Sequence, residues 1–309
     1  MPAAAPPPWQ QQMDDAEALL CTAEADQNCA AATAAVMGFR AALDLVSVAA
    51  RPEDWAITQT RLSTAVRLLG ALADDIELLH DAILVSESAL TAIRLETAPQ
   101  LWARANAALG AANVVLGERK ADPRYLATAA ATYQAAALGF PRHEFPRDWA
   151  RMQRNRGAAL SLLGEIDGGS DALLDAVDSY HAALDVYTAG ATPADWALTH
   201  SNLGHTLRLL GERTRDALYL REAVAACEAA LTITSKTATP QDWAMTTTNL
   251  ANALAALADV QGDPTPLRDA IAAYQRAIAV LAGPQWLRQR AVTRHNLIRA
   301  EQRLTALGG

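Results

Sequence analysis

The chain has 309 residues, 51% of them apolar, and a formal net charge of −8; it is longer than one compact core usually supports, and its acidic balance argues against a general nucleic-acid binder. Its three cysteines, Cys21, Cys29 and Cys227, form no metal-type pair and are an odd number, which fits a reducing compartment better than a disulfide framework. The N-terminal MPAAAPPPWQQQ lacks a basic-then-apolar leader, and no stretch approaches a membrane-spanning length. The expectation is therefore a cytoplasmic protein with no membrane partner.

Taken in order, residues 1–12 are rich in Pro and Gln and read as a flexible arm with Trp9 as its one anchor. Ala16, Leu19, Leu20 and Ala23 follow helical spacing from Asp14 to about Asp26, and a second helix is expected from about Asn28 to Val46. In that second helix Ala35, Phe39, Ala42 and Leu43 stand 47 residues before Ala82, Ser86, Ala89 and Leu90, so residues 13–50 read as a degraded first repeat. Full repeats follow near 51–97, 98–144, 145–191, 192–238 and 239–285, marked by Trp55, Trp102, Trp149, Trp196 and Trp243 and by Pro52, Pro99, Pro146, Pro193 and Pro240. The tryptophans read as packing between successive units.

Within a repeat the first helix is expected to open on the proline, with Thr192 or Thr239 as N-cap and Asp195 or Asp242 three residues on, as a capping box. It runs to Gly70, Gly117, Gly164 or Gly211, each read as a helix-ending residue. Alanine-rich second helices restart at signals such as Asp122-Pro123, Ser170-Asp171 and Asp263-Pro264. After Trp243 the tryptophan moves to Trp286, yet Asn296-Leu297 keeps the 47-residue register, and a helix from about Gln289 to Ala306 within 286–309 reads as a solvated cap. A fixed period of this size is the mark of a solenoid, in which each unit buries its apolar face only against its neighbours.

The unit core, Asn202-Leu203-Gly204 with Leu207, Leu210 and Gly211, then Ala223, Cys227, Ala230 and Leu231, resembles the tetratricopeptide repeat. Its small-residue positions recur at Ala82, Ala129, Ala176, Ala223 and Ala270, and again at Ala89, Ala136, Ala183, Ala230 and Ala277. The unit has 47 residues where the common repeat has about 34, and it is similar in length to repeats of bacterial scaffold and signalling proteins. The resemblance implies an all-α, right-handed solenoid of about six antiparallel helix pairs plus a C-terminal capping helix over 13–309. It also implies that the first helices line a concave groove and that the chain works by binding other proteins.

On that alignment Asn155, Asn202, Asn249 and Asn296 fall in one groove-facing register, where amide donors and acceptors can pair with the backbone of an extended peptide. The same face presents Arg61, Arg67, Arg104, Arg151, Arg154, His205, Arg208, His295, Arg299 and Arg303, which suits an acidic or phosphorylated segment. Arg151, Asn155 and Asn202 partly resemble the carboxylate clamp of chaperone-binding members, but Met245 and Asn249 stand where its further basic residues belong, so a free C-terminal carboxylate is not expected as ligand. Arg156 and Asn113 break the core pattern, standing where other repeats have Leu or Val, and each needs water or a partner. Cys227 takes the core slot of Phe39, Tyr133, Tyr180 and Tyr274 and reads as a small buried hydrophobe.

Local catalytic motifs are absent. His200 and His205 lie five apart on one helix, off the four-residue spacing of paired metal ligands. The expectation is a binding module with no cofactor and no metal, taking a protein or peptide partner. Two alternatives are a self-associating structural protein, hence a homo-oligomer, and a small-ligand sensor or enzyme using the superhelix lumen.

Overall fold

The computed structural model describes residues 6–283 and 286–307. Thirteen α-helices make up its regular structure among the described residues: α1 (Pro8–Asp26), α2 (Cys29–Leu45), α3 (Pro52–Ala73), α4 (Ile76–Ala92), α5 (Pro99–Lys120), α6 (Pro123–Leu138), α7 (Pro146–Asp167), α8 (Asp171–Leu184), α9 (Pro193–Thr214), α10 (Ala217–Leu231), α11 (Pro240–Gln261), α12 (Thr265–Val280) and α13 (Leu287–Ala306). They fall into two compact units, the first ending at Ile166 and the second beginning at Asp167. In the first unit α1 packs on α2, α2 on α3, α3 on α4, α4 on α5 and α5 on α6, and α3 also touches α5. The second unit repeats the pattern from α8 through α13, with α9 against α11 and α11 against α13. Both are stacks of helix pairs, the all-α class expected from the period.

The first helices keep the 47-residue register closely: α3, α5, α7, α9 and α11 are each 22 residues long and each opens on one of the periodic prolines. At the first helical position a missing N–H costs nothing. The periodic tryptophan three residues later supplies the first i→i−4 bond, as in Trp102 N to Ala98 O at 2.9 Å and Trp243 N to Thr239 O at 2.9 Å. Its ring joins the apolar packing: Trp102 packs against the cluster of Ala56, Ala89, Ile93 and Ala105, and Trp243 belongs to one with Ala244 and Leu281, against which Leu231 packs. Arg142 and Lys236 cover Trp149 and Trp243, 4.9 and 4.8 Å from the ring centroids.

Three sequence expectations are corrected. The capping box does not form, because the Thr192 hydroxyl turns back to accept from Thr188 N at 3.0 Å, and the Thr239 hydroxyl accepts from Ser235 N at 2.9 Å. Both threonines tie down the preceding loop. The glycines do not end the helices either: α3, α5 and α9 continue three residues past Gly70, Gly117 and Gly211. Chain reversal falls to left-handed residues at Gln27, Asp74, Ala121, Gly168, Arg215 and Gly262, again 47 apart. Immediately after them Asn28, Asp75, Asp122, Asp216 and Asp263 cap the second helices, each side chain accepting a backbone N–H at 2.8–3.0 Å. Thirdly, residues 8–12, expected in the arm, form the start of α1, where Trp9 lies 5.6 Å from the Arg51 guanidinium. Residues 1–5 of that arm lie outside the described residues, as do residues 284, 285, 308 and 309.

The glycines serve helix approach instead. A Cβ at Gly117 would stand 2.8 Å from Leu126 Cγ, at Gly211 2.6 Å from Leu220 Cγ, and at Gly204 2.5 Å from Cys227 Sγ. Of the two pattern-breaking polar residues, Asn113, only 3% exposed, is satisfied on its own helix, donating Nδ2 to Leu109 O at 2.9 Å, and Arg156 is half-buried.

Two outcomes follow from this packing. Gly211→Ala gains roughly 1 kcal/mol of helix propensity, but the new methyl drives into Leu220, an overpacking cost of about 1–3 kcal/mol. Urea denaturation is expected to show a less stable protein, and a more stable one would mean that the helices have room to part. His200 sits half-buried against Trp196, with ring centroids 4.3 Å apart, and its Nδ1 has no partner among the described residues. Burial first, and then His181, holds its pKa below the ordinary value. The unfolded chain therefore binds the proton more readily, so this contribution is whole above about pH 6.5 and declines as pH falls toward the folded-state value. His200→Gln, with the residue that Gln59 and Gln153 already place at this register, is expected to flatten the melting temperature between about pH 7 and pH 5; an unchanged slope refutes the assignment.

Candidate functional site

Among the described residues each unit contains a groove lined mainly by its first helices. In the first unit α3 contributes Ile57, Thr60, Arg61, Thr64 and Arg67, residues spaced three and four apart that share one helix face. From α5 come Leu101, Arg104, Ala107, Ala108 and Ala111, from α7 Asp148, Arg151, Met152, Arg154 and Asn155, and from α1 Glu24. The space enclosed is about 1070 Å³. Five arginines therefore face two carboxylates. At the edges Arg61 pairs with Glu17 at 3.4 Å and Arg151 with Asp148 at 2.6 Å, both partly exposed. Arg67 and Arg104 make no hydrogen bond or close ion pair among the described residues.

Beneath this groove lies Tyr133 of α6, 5% exposed, its ring 3.0 Å from where a Cβ on Gly110 would be. Burial pushes the Tyr133 hydroxyl up to about 12, while the charges of Arg67 and Arg154 act the other way. At neutral pH it keeps its proton and can donate. Burial likewise holds the Arg67 guanidinium below its ordinary value, opposed by Tyr133 and Glu24.

The second unit's groove, about 480 Å³, is lined by Arg208, Glu212 and Arg215 of α9, by Asn252, Ala255, Ala256, Asp259 and Val260 of α11, by Tyr274 of α12, and by Asn296, Arg299, Ala300 and Arg303 of α13. Its polar groups largely answer one another. Arg208 pairs with Glu212 at 2.7 Å and Arg303 with Asp259. Tyr274 Oη donates to Asn252 Oδ1 at 2.6 Å, and Asn296 Nδ2 donates to the same oxygen at 3.0 Å. Only the Arg208 Nε, among these groups, is buried without a partner among the described residues.

The expected residues therefore divide. Arg61, Arg67, Arg104, Arg151, Arg154 and Asn155 come together in one groove, and Arg208, Asn296, Arg299 and Arg303 in the other. His205 lies beside Arg208, Nδ1 to Nη2 3.5 Å, while His295 is exposed and lines neither groove. Asn202 and Asn249 also line neither, and Asn249 donates Nδ2 to Ser201 Oγ at 3.3 Å, stapling α11 to α9. The uniform asparagine row is thus not uniform in role. Sequence reasoning missed Asn252, one helical turn from Asn249, and it treated Tyr133 and Tyr274 as core alone. Their signal was a small residue 23 positions earlier, Gly110 or Ala251, which brings the ring close to the first helix.

Cys227 is fully buried beside Gly204, and burial pushes its thiol up to about 12, so it is no nucleophile at neutral pH. Among the described residues no group of three or more His, Cys, Asp or Glu side chains is placed to hold a metal ion, and no helix is long and apolar enough to cross a membrane.

No family model matches the chain, and no curated protein matches it. Among solved structures it is similar to the TPR2AB-domain:pHSP90 complex of yeast Sti1, at 14% identity over 94% of this chain and 99% of that one, with a TM-score of 0.29. The fold assignment rests on the helix pairs themselves.

If Asn249 is a staple and Asn155 a groove residue, alanine substitution separates them. Asn249→Ala is expected to cost about 1 kcal/mol of unfolding free energy through the lost bonds to Ser201, and Asn155→Ala to leave stability within about 0.5 kcal/mol of wild type. Equal losses in denaturant melts would show that both are structural.

Proposed function

We propose that the chain is a protein-interaction module that holds an extended, acidic segment of a partner against the first unit's groove. The observation carrying this is the arginine-rich lining given by α3, α5 and α7, in which Arg67 and Arg104 make no close ion pair among the described residues. A guanidinium taken partly out of water without a partner is costly, and a carboxylate or phosphate from a ligand removes that cost while pairing bidentately. The groove is open to chains and not shaped around a reaction: its lining combines cations and small apolar side chains, with no nucleophile beside a base. The module acts by binding and not by catalysis, and its free cysteines, Cys21 and Cys29 exposed and Cys227 buried, suit the cytoplasm.

Fluorescence anisotropy with a labelled decapeptide of alternating Glu and Ala tests the reading. Binding is expected to weaken with salt, and Arg104→Glu, which reverses an exposed charge, is expected to reduce affinity by about tenfold or more, since bonds to charged groups contribute about 1.5–3 kcal/mol each. A Lys/Ala decapeptide should not bind. Indifference to both the salt and the Arg104 charge refutes the groove as the site, and a concentration-dependent sedimentation coefficient without peptide would favour self-association instead.

A further inference from the structure

We propose that the part of the first unit's groove around Arg67 is a seat for a phosphoryl group, held by the Arg67 and Arg154 guanidinia with the Tyr133 hydroxyl as a third donor. The proposal deepens the acidic-ligand reading and rests on the same groove, but it specifies the anion.

The argument comes from comparing two copies of one arrangement. Arg67 and Tyr133 stand three 47-residue periods before Arg208 and Tyr274, and in each unit the arginine bears on the tyrosine that lies at the following repeat. In the second unit both groups have internal partners: Glu212, one turn along α9, pairs with Arg208 at 2.7 Å, and Asn252 accepts from Tyr274 Oη at 2.6 Å. The residues at the same two registers in the first unit are Ala71 and Ala111. Each alanine removes one internal partner. Arg67 is thus left without a close carboxylate and the Tyr133 hydroxyl without an acceptor among the described residues, and Ala111 lines the groove where Asn252 lines the other. Glu24, the carboxylate that faces Arg67 from α1, acts on it through space without forming an ion pair.

What remains is the pair of guanidinia on α3 and α7 lining a groove large enough for a ligand chain, with the buried Tyr133 phenol of α6 beneath it against Gly110 of α5. A carboxylate offers two coplanar oxygens and satisfies one guanidinium fork. A phosphoryl group offers three tetrahedral oxygens and a charge of about −1.5 to −2 at neutral pH, so it can meet two forks and a hydroxyl together.

The test uses the full chain, with inorganic phosphate and acetate titrated at equal ionic strength while the arginine Nε–Hε resonances are followed by NMR. Phosphate is expected to saturate one site, to move the Arg67 and Arg154 signals, and to bind about tenfold more tightly than acetate. Arg67→Gln should reduce phosphate affinity by about tenfold. Ala71→Glu, which supplies the carboxylate that Arg208 has in Glu212, should do the same without lowering the melting temperature, and so guards against misfolding as the cause. Equal binding of the two anions, absence of saturation, or full affinity in both variants overturns the seat. A decapeptide with one phosphoserine then separates the sources. Binding tighter than inorganic phosphate supports a seat serving a phosphorylated chain, and binding no tighter supports one serving a free phosphate-sized ligand. If the Glu/Ala decapeptide binds and phosphate shows no preference, this seat falls and the acidic groove stands; if phosphate binds and neither peptide does, the seat stands and the peptide reading falls.

Discussion

The close approach of the two helices in each pair is the contact on which the other features depend. Where Gly117 faces Leu126 and Gly211 faces Leu220, no side chain stands between the first helix and the leucine of the second. Such proximity leaves little length for a connection. The chain therefore reverses through one left-handed residue followed at once by an Asx cap, as at Asp74 and Asp75, where Asp75 N returns to Gly70 O at 2.9 Å. A left-handed Gln, Asp, Ala or Arg costs roughly 1 kcal/mol or more, and the recurring packing behind it offsets that cost. Period, turn and packing are one constraint seen at three levels.

The same approach creates the functional surface. A ring on a second helix reaches the first helices' inner face only where the helix in between carries a very small residue. Gly110 admits Tyr133 in this way, and Ala251 stands at the same register as Gly110, before Tyr274. Where the second helix has Ser86 instead, Ser63 and Ser86 join by a 2.6 Å hydrogen bond, and Ser63 also donates to Ala82 O, so the contact is polar and closed. The same slot is thus sealed by a serine pair in one repeat and filled by a phenol next to a groove in the repeats of Tyr133 and Tyr274.

Much of this was written legibly in the sequence. Prolines and tryptophans 47 apart mark helix starts because proline is tolerated at one helical position and because a large ring must repeat wherever the packing repeats. The helix ends were misread for a physical reason: glycine is both a favoured cap and the smallest packing residue, and sequence alone does not say which property is used at Gly70 or Gly211. Threonine poses the same difficulty, since the Thr192 hydroxyl can cap its own helix or bind the preceding turn. For the site, helical register brought six of the predicted residues into one groove. It could not separate Asn155 from Asn249, which share a register but differ in what stands opposite: Ser201, on the neighbouring first helix, gives Asn249 a partner.

That difference in opposing residues decides which polar groups are available to a ligand. A periodic backbone presents the same positions again and again, so chemical individuality arises from which repeats lose an internal partner. In the second unit Glu212, Asn252 and Asp259 answer the cations and phenol around them, and the bonds across that groove tie α11 to α12 and α13. In the first unit Ala71 and Ala111 stand at the registers of Glu212 and Asn252, and the guanidinium and hydroxyl kept there carry a desolvation cost with no close carboxylate or acceptor in return among the described residues. Retaining donors while dropping their acceptors sacrifices stability locally and leaves their directional bonding capacity for something outside the chain.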